Sequence, residues 1–167
     1  DVRLTWTVTL NGENLGTLRN DENDMVVYFP IPAGTLVDGE NVLRIEQDTR
    51  RRNVPDDIRV GAVTLYTAPV HEVLSQATLE VEVVDAVRGE RTPCRITVLN
   101  ADGALQSVDA ASDDRQAVRP GTILTTTGLT KFGLPPGAYS VLAGRGFEYS
   151  LARTTMRLDA GQTERVR

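Results

Sequence analysis

One cysteine and one histidine stand in a chain of 167 residues, and those two scarcities exclude more chemistry than any motif admits. A lone Cys94 can form no intrachain disulfide, so no disulfide framework supports the fold. Cysteine usage is then compatible with the cytosol and equally with a bacterial secreted protein. With His71 the only imidazole, zinc and binuclear centres that gather several His ligands are close to excluded, and so are Ser-His-Asp and Cys-His arrangements. No Gly-x-Ser-x-Gly elbow precedes a helix. No run approaches the roughly 18 apolar residues that span a bilayer, and no charged-then-apolar leader stands at the front, so membrane insertion is not expected. Eighteen basic against twenty-three acidic residues leave a formal charge of -5, which disfavours nucleic acid as a partner. Aromatic residues make up only 5 % of the chain.

What the chain has is β-branched and aliphatic residues in short alternating runs. Leu4, Trp6, Val8 and Leu10 alternate with Arg3, Thr5, Thr7 and Thr9, a period of two that puts four apolar side chains on one face of a strand. Asn11-Gly12 closes it in a tight turn, and the strand pairs with its continuation. Further strands are expected over 25–31, stopped by Pro30 and Pro32, then over 42–45 and over 58–66, with Gly61 a plausible bulge. Beyond Thr67 the composition shifts. Leu79, Val81 and Val83 alternate with Glu80 and Glu82, and Cys94, Ile96 and Val98 alternate with Arg95 and Thr97. Residues 104–120 are polar and Asp-rich and read as a long surface loop. Short strands follow over 123–127, 131–134, 139–143, 154–158 and 163–166. Leu134-Pro-Pro-Gly137 reads as a reversal between two of them. No window carries a helical period, so the expected fold is all-β. It comprises two β-sandwich modules over 1–68 and 77–167, joined by a linker over 69–76.

Candidate chemistry is thin, and each candidate has a plain reading beside the functional one. Cys94 lies on the apolar face of its strand and reads as a buried small hydrophobe rather than a reactive thiol. His71 reads as a solvated or hydrogen-bonded side chain. Asp109, Asp113 and Asp114, and separately Asp21, Glu22 and Asp24, cluster hard oxygen ligands without EF-hand spacing, so solvated loop acids are the favoured reading over Ca²⁺. Trp6 favours core packing over stacking on a sugar. Arg50-Arg51-Arg52, followed by Asn53, Asp56 and Asp57, reads as a solvated turn with anion or sugar-acid contact as the functional alternative. Were the chain a carbohydrate-binding module, its rim would be the loops carrying Asn14, Asn23, Arg50, Arg51, Arg52, Asp56 and Asp57. No catalytic residue, metal ligand or cofactor is assigned.

Two resemblances add to this. Leu10-Asn-Gly12, Leu15-Gly16, Phe29-Pro-Ile-Pro-Ala-Gly34, Gly39-Glu-Asn-Val-Leu-Arg-Ile45 and Asp56-Asp-Ile-Arg-Val-Gly-Ala-Val63 resemble the later strands of galactose-binding-like jelly rolls, covering less than a full roll. From Ala77 the chain is similar to the Ig-like, transthyretin-like sandwich of carboxypeptidase-regulatory-like modules. Pro93-Cys-Arg-Ile-Thr-Val98, Asp102-Gly103 and Leu134-Pro-Pro-Gly-Ala-Tyr-Ser-Val141 carry that likeness. More narrowly, Leu134-Pro-Pro-Gly137 followed by Arg145-Gly-Phe-Glu-Tyr149 resembles the region just before the catalytic domain of bacterial CehA/McbA-type metallohydrolases of the PHP superfamily. The resemblance implies a non-catalytic accessory region of a larger protein, secreted, periplasmic or on the cell surface, with the cytoplasm left open. The family's metal site, which begins with a His-x-His motif, would lie beyond Arg167. Its expected partners are a carbohydrate or that downstream catalytic domain. A third reading is a structural surface protein that self-associates through exposed strand edges.

Overall fold

The computed structural model describes residues 5–47 and 56–167. The fold is all-β: among the described residues there are thirteen strands, β1 to β13 in chain order, and one helix, α1. The chain divides into two compact units, Asp1–Asn23 with Tyr28–Thr67, and Asp24–Val27 with Ala68–Arg167.

The first unit holds β1 (Trp6–Leu10), β2 (Glu13–Thr17) and β4 (Leu43–Gln47), hydrogen-bonded in the order β2-β1-β4. The expected Asn-Gly turn is there. Asn11 at φ 51° and Gly12 at φ 85° form a two-residue loop between the paired Leu10 and Glu13. A loop with positive φ at both positions matches the right-handed twist of the flanking strands, which is why Asn-Gly suits it. The Asn11 side chain also donates to the Thr35 carbonyl at 2.8 Å and accepts from the Val42 N–H at 2.8 Å, tying the turn to the chain that leads into β4. Val8 and Leu10 are the only buried apolar side chains among the described residues of this unit.

Two expected strands are corrected here. Of the run 25–31 only β3 (Met25–Val26) forms a strand, and it pairs in parallel with β7 (Leu105–Gln106) of the second unit. Pro30 and Pro32 lack the N–H a ladder needs, so the pairing cannot continue. Residues 58–66 form no strand. Their β-branched sequence is suited to one, but a strand exists only where a neighbour supplies its hydrogen bonds.

The second unit is a sandwich. Its smaller sheet runs β10 (Leu129–Leu134), β5 (Ala77–Glu82), β13 (Thr163–Val166), with β13 parallel to β5. The larger runs β12 (Ala152–Leu158), β11 (Gly137–Gly144), β6 (Cys94–Leu99), β7, β3, with β9 (Thr122–Thr125) also paired to β6 and β8 (Gln116–Arg119) paired to β9. Between the sheets Leu79 and Val81 meet Ile96, Val98, Ile123 and Val141 in one continuous core that Phe132 and Leu158 complete. β5 shows why alternation was readable: its residues are buried and half-buried in strict turn. Outside it, Glu82 accepts from Arg91 at 2.7 Å and Arg165 at 3.1 Å, while Arg165 reaches Glu80 at 3.2 Å.

Three details of this unit differ from expectation. The stretch 104–120 is not one loop, because β7 and β8 lie within it. Both are too short for periodicity to reveal. Pro135-Pro136 is not a hairpin reversal, because β10 and β11 belong to different sheets. Two residues without N–H groups cannot extend either ladder, and the chain uses them to cross from sheet to sheet. Buried Tyr139 fixes the corner, its hydroxyl donating to the Pro135 carbonyl at 2.7 Å. The stretch 69–76, read as a linker, carries α1 (Val70–Leu74), which buries Val73 and Leu74. α1 lies close to β10 at Gly133, where an added Cβ would sit 2.7 Å from the Leu74 carbonyl oxygen.

Candidate functional site

Pairing register brings chemistry together at one end of the second unit. Arg95 opposite Gly144 and Cys94 opposite Thr125 place the start of β6, the end of β9 and the end of β11 side by side, and Gln116 opposite Thr125 adds the start of β8. Between them lies an open concavity of about 520 Å³. Cys94 and Leu124 supply apolar lining, and Arg95, Arg115 and Arg145 supply guanidinium groups. Asp113 and Asp114 also line it, so its charge is mixed.

Each arginine is held differently. Arg145 donates to the Thr92 hydroxyl, and its guanidinium carbon lies 5.1 Å from the centre of the Tyr149 ring, a cation–π distance. Arg95 donates to the Thr122 hydroxyl at 3.5 Å. Arg115 is placed through its backbone: the Asp113 carboxylate accepts from the N–H groups of Arg115 and Gln116, both at 2.8 Å, forming a turn that starts β8. None of the three guanidiniums forms an ion pair with a carboxylate of the described residues.

The loops around the concavity expose apolar side chains. Phe147, between β11 and β12, is fully exposed, and Leu151 is 65 % exposed. Val87 projects almost entirely into solvent from the turn after β5. Asp85 organises that turn by accepting from the Val87 and Arg88 N–H groups at 2.9 Å each. Those two backbone bonds, Arg88 first, hold its carboxyl below the ordinary aspartate range. Beneath the concavity burial pushes the Cys94 thiol up, against a weaker opposing pull from Arg145. It is therefore a neutral thiol at pH 7 and no nucleophile.

The residues singled out from sequence serve local structure. Asn14 accepts from the Gly16 N–H at 2.9 Å, within β2. Asn23 donates to the Asp21 carboxylate from its backbone at 2.9 Å and its side chain at 2.8 Å. Asp56 accepts from the Trp6 indole N–H at 2.9 Å, so Trp6 is half-buried with its polar edge satisfied. Asp57 is exposed. No two of Asn14, Asn23, Asp56 and Asp57 share a hydrogen bond or ion pair. Arg50, Arg51 and Arg52 lie outside the described residues. His71 is exposed on α1, and no group of three His, Cys, Asp or Glu side chains among the described residues is placed to hold a metal ion. No helix of the described residues is long and apolar enough to cross a membrane.

Sequence reading passed over Arg95 and Arg115 as an outward strand residue and a loop residue. The signal that unites them with Arg145 is cross-strand register, which no single segment contains. Compared with protein-family models, with curated proteins and with solved structures, the chain matches none.

Proposed function

We propose that this chain is a non-catalytic accessory region of a larger, secreted bacterial metallohydrolase of the CehA/McbA type, and that its second unit positions substrate or receives the catalytic domain. The observation that carries this reading is fully exposed Phe147 beside a concavity flanked by three guanidiniums without ion pairs. Covering a phenylalanine removes apolar area worth about 2–3 kcal/mol from water, which makes an exposed ring on a braced loop a contact point. Guanidiniums pair with the carboxylate or phosphate oxygens of an anionic substrate or of an acidic protein surface. The same loop belongs to the stretch whose sequence resembles the region preceding that family's catalytic domain.

The test begins with the full coding sequence, where a His-x-His segment downstream of Arg167 is expected. In the full-length protein, Phe147→Ala and Arg145→Ala should raise KM several-fold while kcat stays within about twofold, the signature of lost uniform binding. Chelator-sensitive hydrolysis of phosphoesters or carboxylic esters by the isolated chain would overturn the proposal.

A second reading is a carbohydrate-binding module, favoured by Tyr149, a planar ring held under the Arg145 guanidinium at the edge of the same concavity. It predicts binding on a glycan array and a rise in Tm with oligosaccharide, both lost in Tyr149→Ala. A silent array and an unchanged Tm remove it.

A further inference from the structure

We propose that residues 60–66 form a strand only on association, pairing antiparallel with the same residues of a second copy of this chain about a two-fold axis at Val63.

The run Val60-Gly-Ala-Val-Thr-Leu-Tyr66 has no charge, no proline and a β-branched or aromatic residue at four of its seven positions. It is the kind of short segment that pairs with other strands when left uncovered. It is uncovered. Val60, Val63, Leu65 and Tyr66 are 51, 65, 56 and 48 % exposed, and no backbone N–H or C=O of residues 60–66 bonds to another described residue.

The true edge strands of the molecule are protected in a way this run is not. β2 carries Glu13 and a bulge opposite β1, β4 carries Arg44 and Glu46, β8 Arg119, β10 Lys131, β12 Arg153 and Arg157, and β13 Glu164 and Arg165, while β3 is only two residues long. Charge, irregularity and brevity are the usual devices that stop edges from adding strands. Residues 60–66 use none of them.

A second copy is the occupant that charge and symmetry favour. Antiparallel pairing about Val63 sets Val60 against Tyr66, Ala62 against Thr64 and Val63 against itself, so β-branched and aromatic residues face one another. The first flanking charge, Arg59, then faces Thr67 rather than its own copy. Sliding the register toward the N-terminus would bring Arg59 against Arg59. One register therefore matches the whole uncharged run, and a self-complementary pair closes as a dimer instead of propagating. Seven residues a side is well short of the roughly 20–30 of a standard interface, so the dimer belongs to the weak, concentration-dependent class.

Sedimentation velocity of the full 167-residue chain from about 5 to about 500 µM should show the weight-average mass rising from one chain mass toward two, with half-dissociation near 100 µM. Val63→Lys, which sets two ammonium groups face to face, should weaken association at least about tenfold, whereas Arg44→Ala should leave it unchanged. Because a charge might also disturb the unit, Val63→Cys supplies a second reading. Under mild oxidation it should form a disulfide-linked dimer at least about tenfold faster than Val60→Cys, which would face Tyr66 across the axis. A chain monomeric throughout, an association indifferent to Val63→Lys, or equal cross-linking at both positions overturns the proposal.

Discussion

Glu82 shows how one side chain links a sheet to pH. It stands on the outer face of β5 with 12 % of its side chain exposed, and Arg91 donates to one carboxylate oxygen while Arg165 donates to the other. The Arg91 hydrogen bond, reinforced by Arg165 and opposed by partial desolvation, holds its carboxyl below the ordinary 4.5. The folded state therefore binds fewer protons than the unfolded chain below that value. The stabilisation is complete above pH 4.5 and is lost as pH falls through the lowered folded-state value. In Glu82→Gln the acid side of a plot of Tm against pH, between about pH 5 and about pH 3, should be shallower than in the parent, with little change in slope at neutral pH. An identical acid limb would show that the two arginines do not act on this carboxylate.

At the scale of elements, what was legible in the sequence is what depends on one segment alone. β5, β6 and β13 announce themselves by alternation, and the β1–β2 hairpin by Asn11-Gly12, because side-chain period and turn chemistry are local. What depends on a partner was not legible. The run 58–66 has the composition of a strand and no neighbour, Pro135-Pro136 marks the end of a strand without saying which sheet comes next, and Arg95, Arg115 and Arg145 meet only through register. The docking of α1 belongs to the same class, since its single turn is too short to carry a period. It rests on Gly133, where a Cβ would meet the Leu74 carbonyl oxygen at 2.7 Å and the Ser75 Cα at 2.8 Å, while the Gly133 backbone also exchanges hydrogen bonds with Asp109. Backbone atoms cannot rotate out of the way. Gly133→Ala should displace α1 and destabilise the second unit by about 1–3 kcal/mol, read from the urea midpoint, with faster amide exchange at Val73 and Ser75. A neutral substitution would mean that the helix shifts freely on the sheet.

Taken whole, the molecule distributes its core unevenly. Of the buried apolar side chains among the described residues, Val8 and Leu10 lie in the first unit and the other seventeen in the second. Burial is the main favourable term in folding, so local stability should follow the same division. In dilute solution, amides of β1 and β4 should exchange at least about tenfold faster than those of β5, β6 and β11. Comparable protection in both units would show that the first is stabilised by something other than its own apolar burial. The unit with the thinner core also carries residues 60–66, so a partner that covers that run would add burial where the chain has least.

The second unit also borrows from far upstream, since the Ser107 hydroxyl donates to the Val26 carbonyl, 81 residues earlier, where β3 lies against β7. During synthesis at roughly 5–20 residues per second, β3 leaves the ribosome about 4–16 seconds before the strand it pairs with. Through that interval Met25 and Val26 wait beside the first unit with their own sheet not yet made, and the larger sheet becomes complete only when the nascent chain returns to one of its oldest pieces.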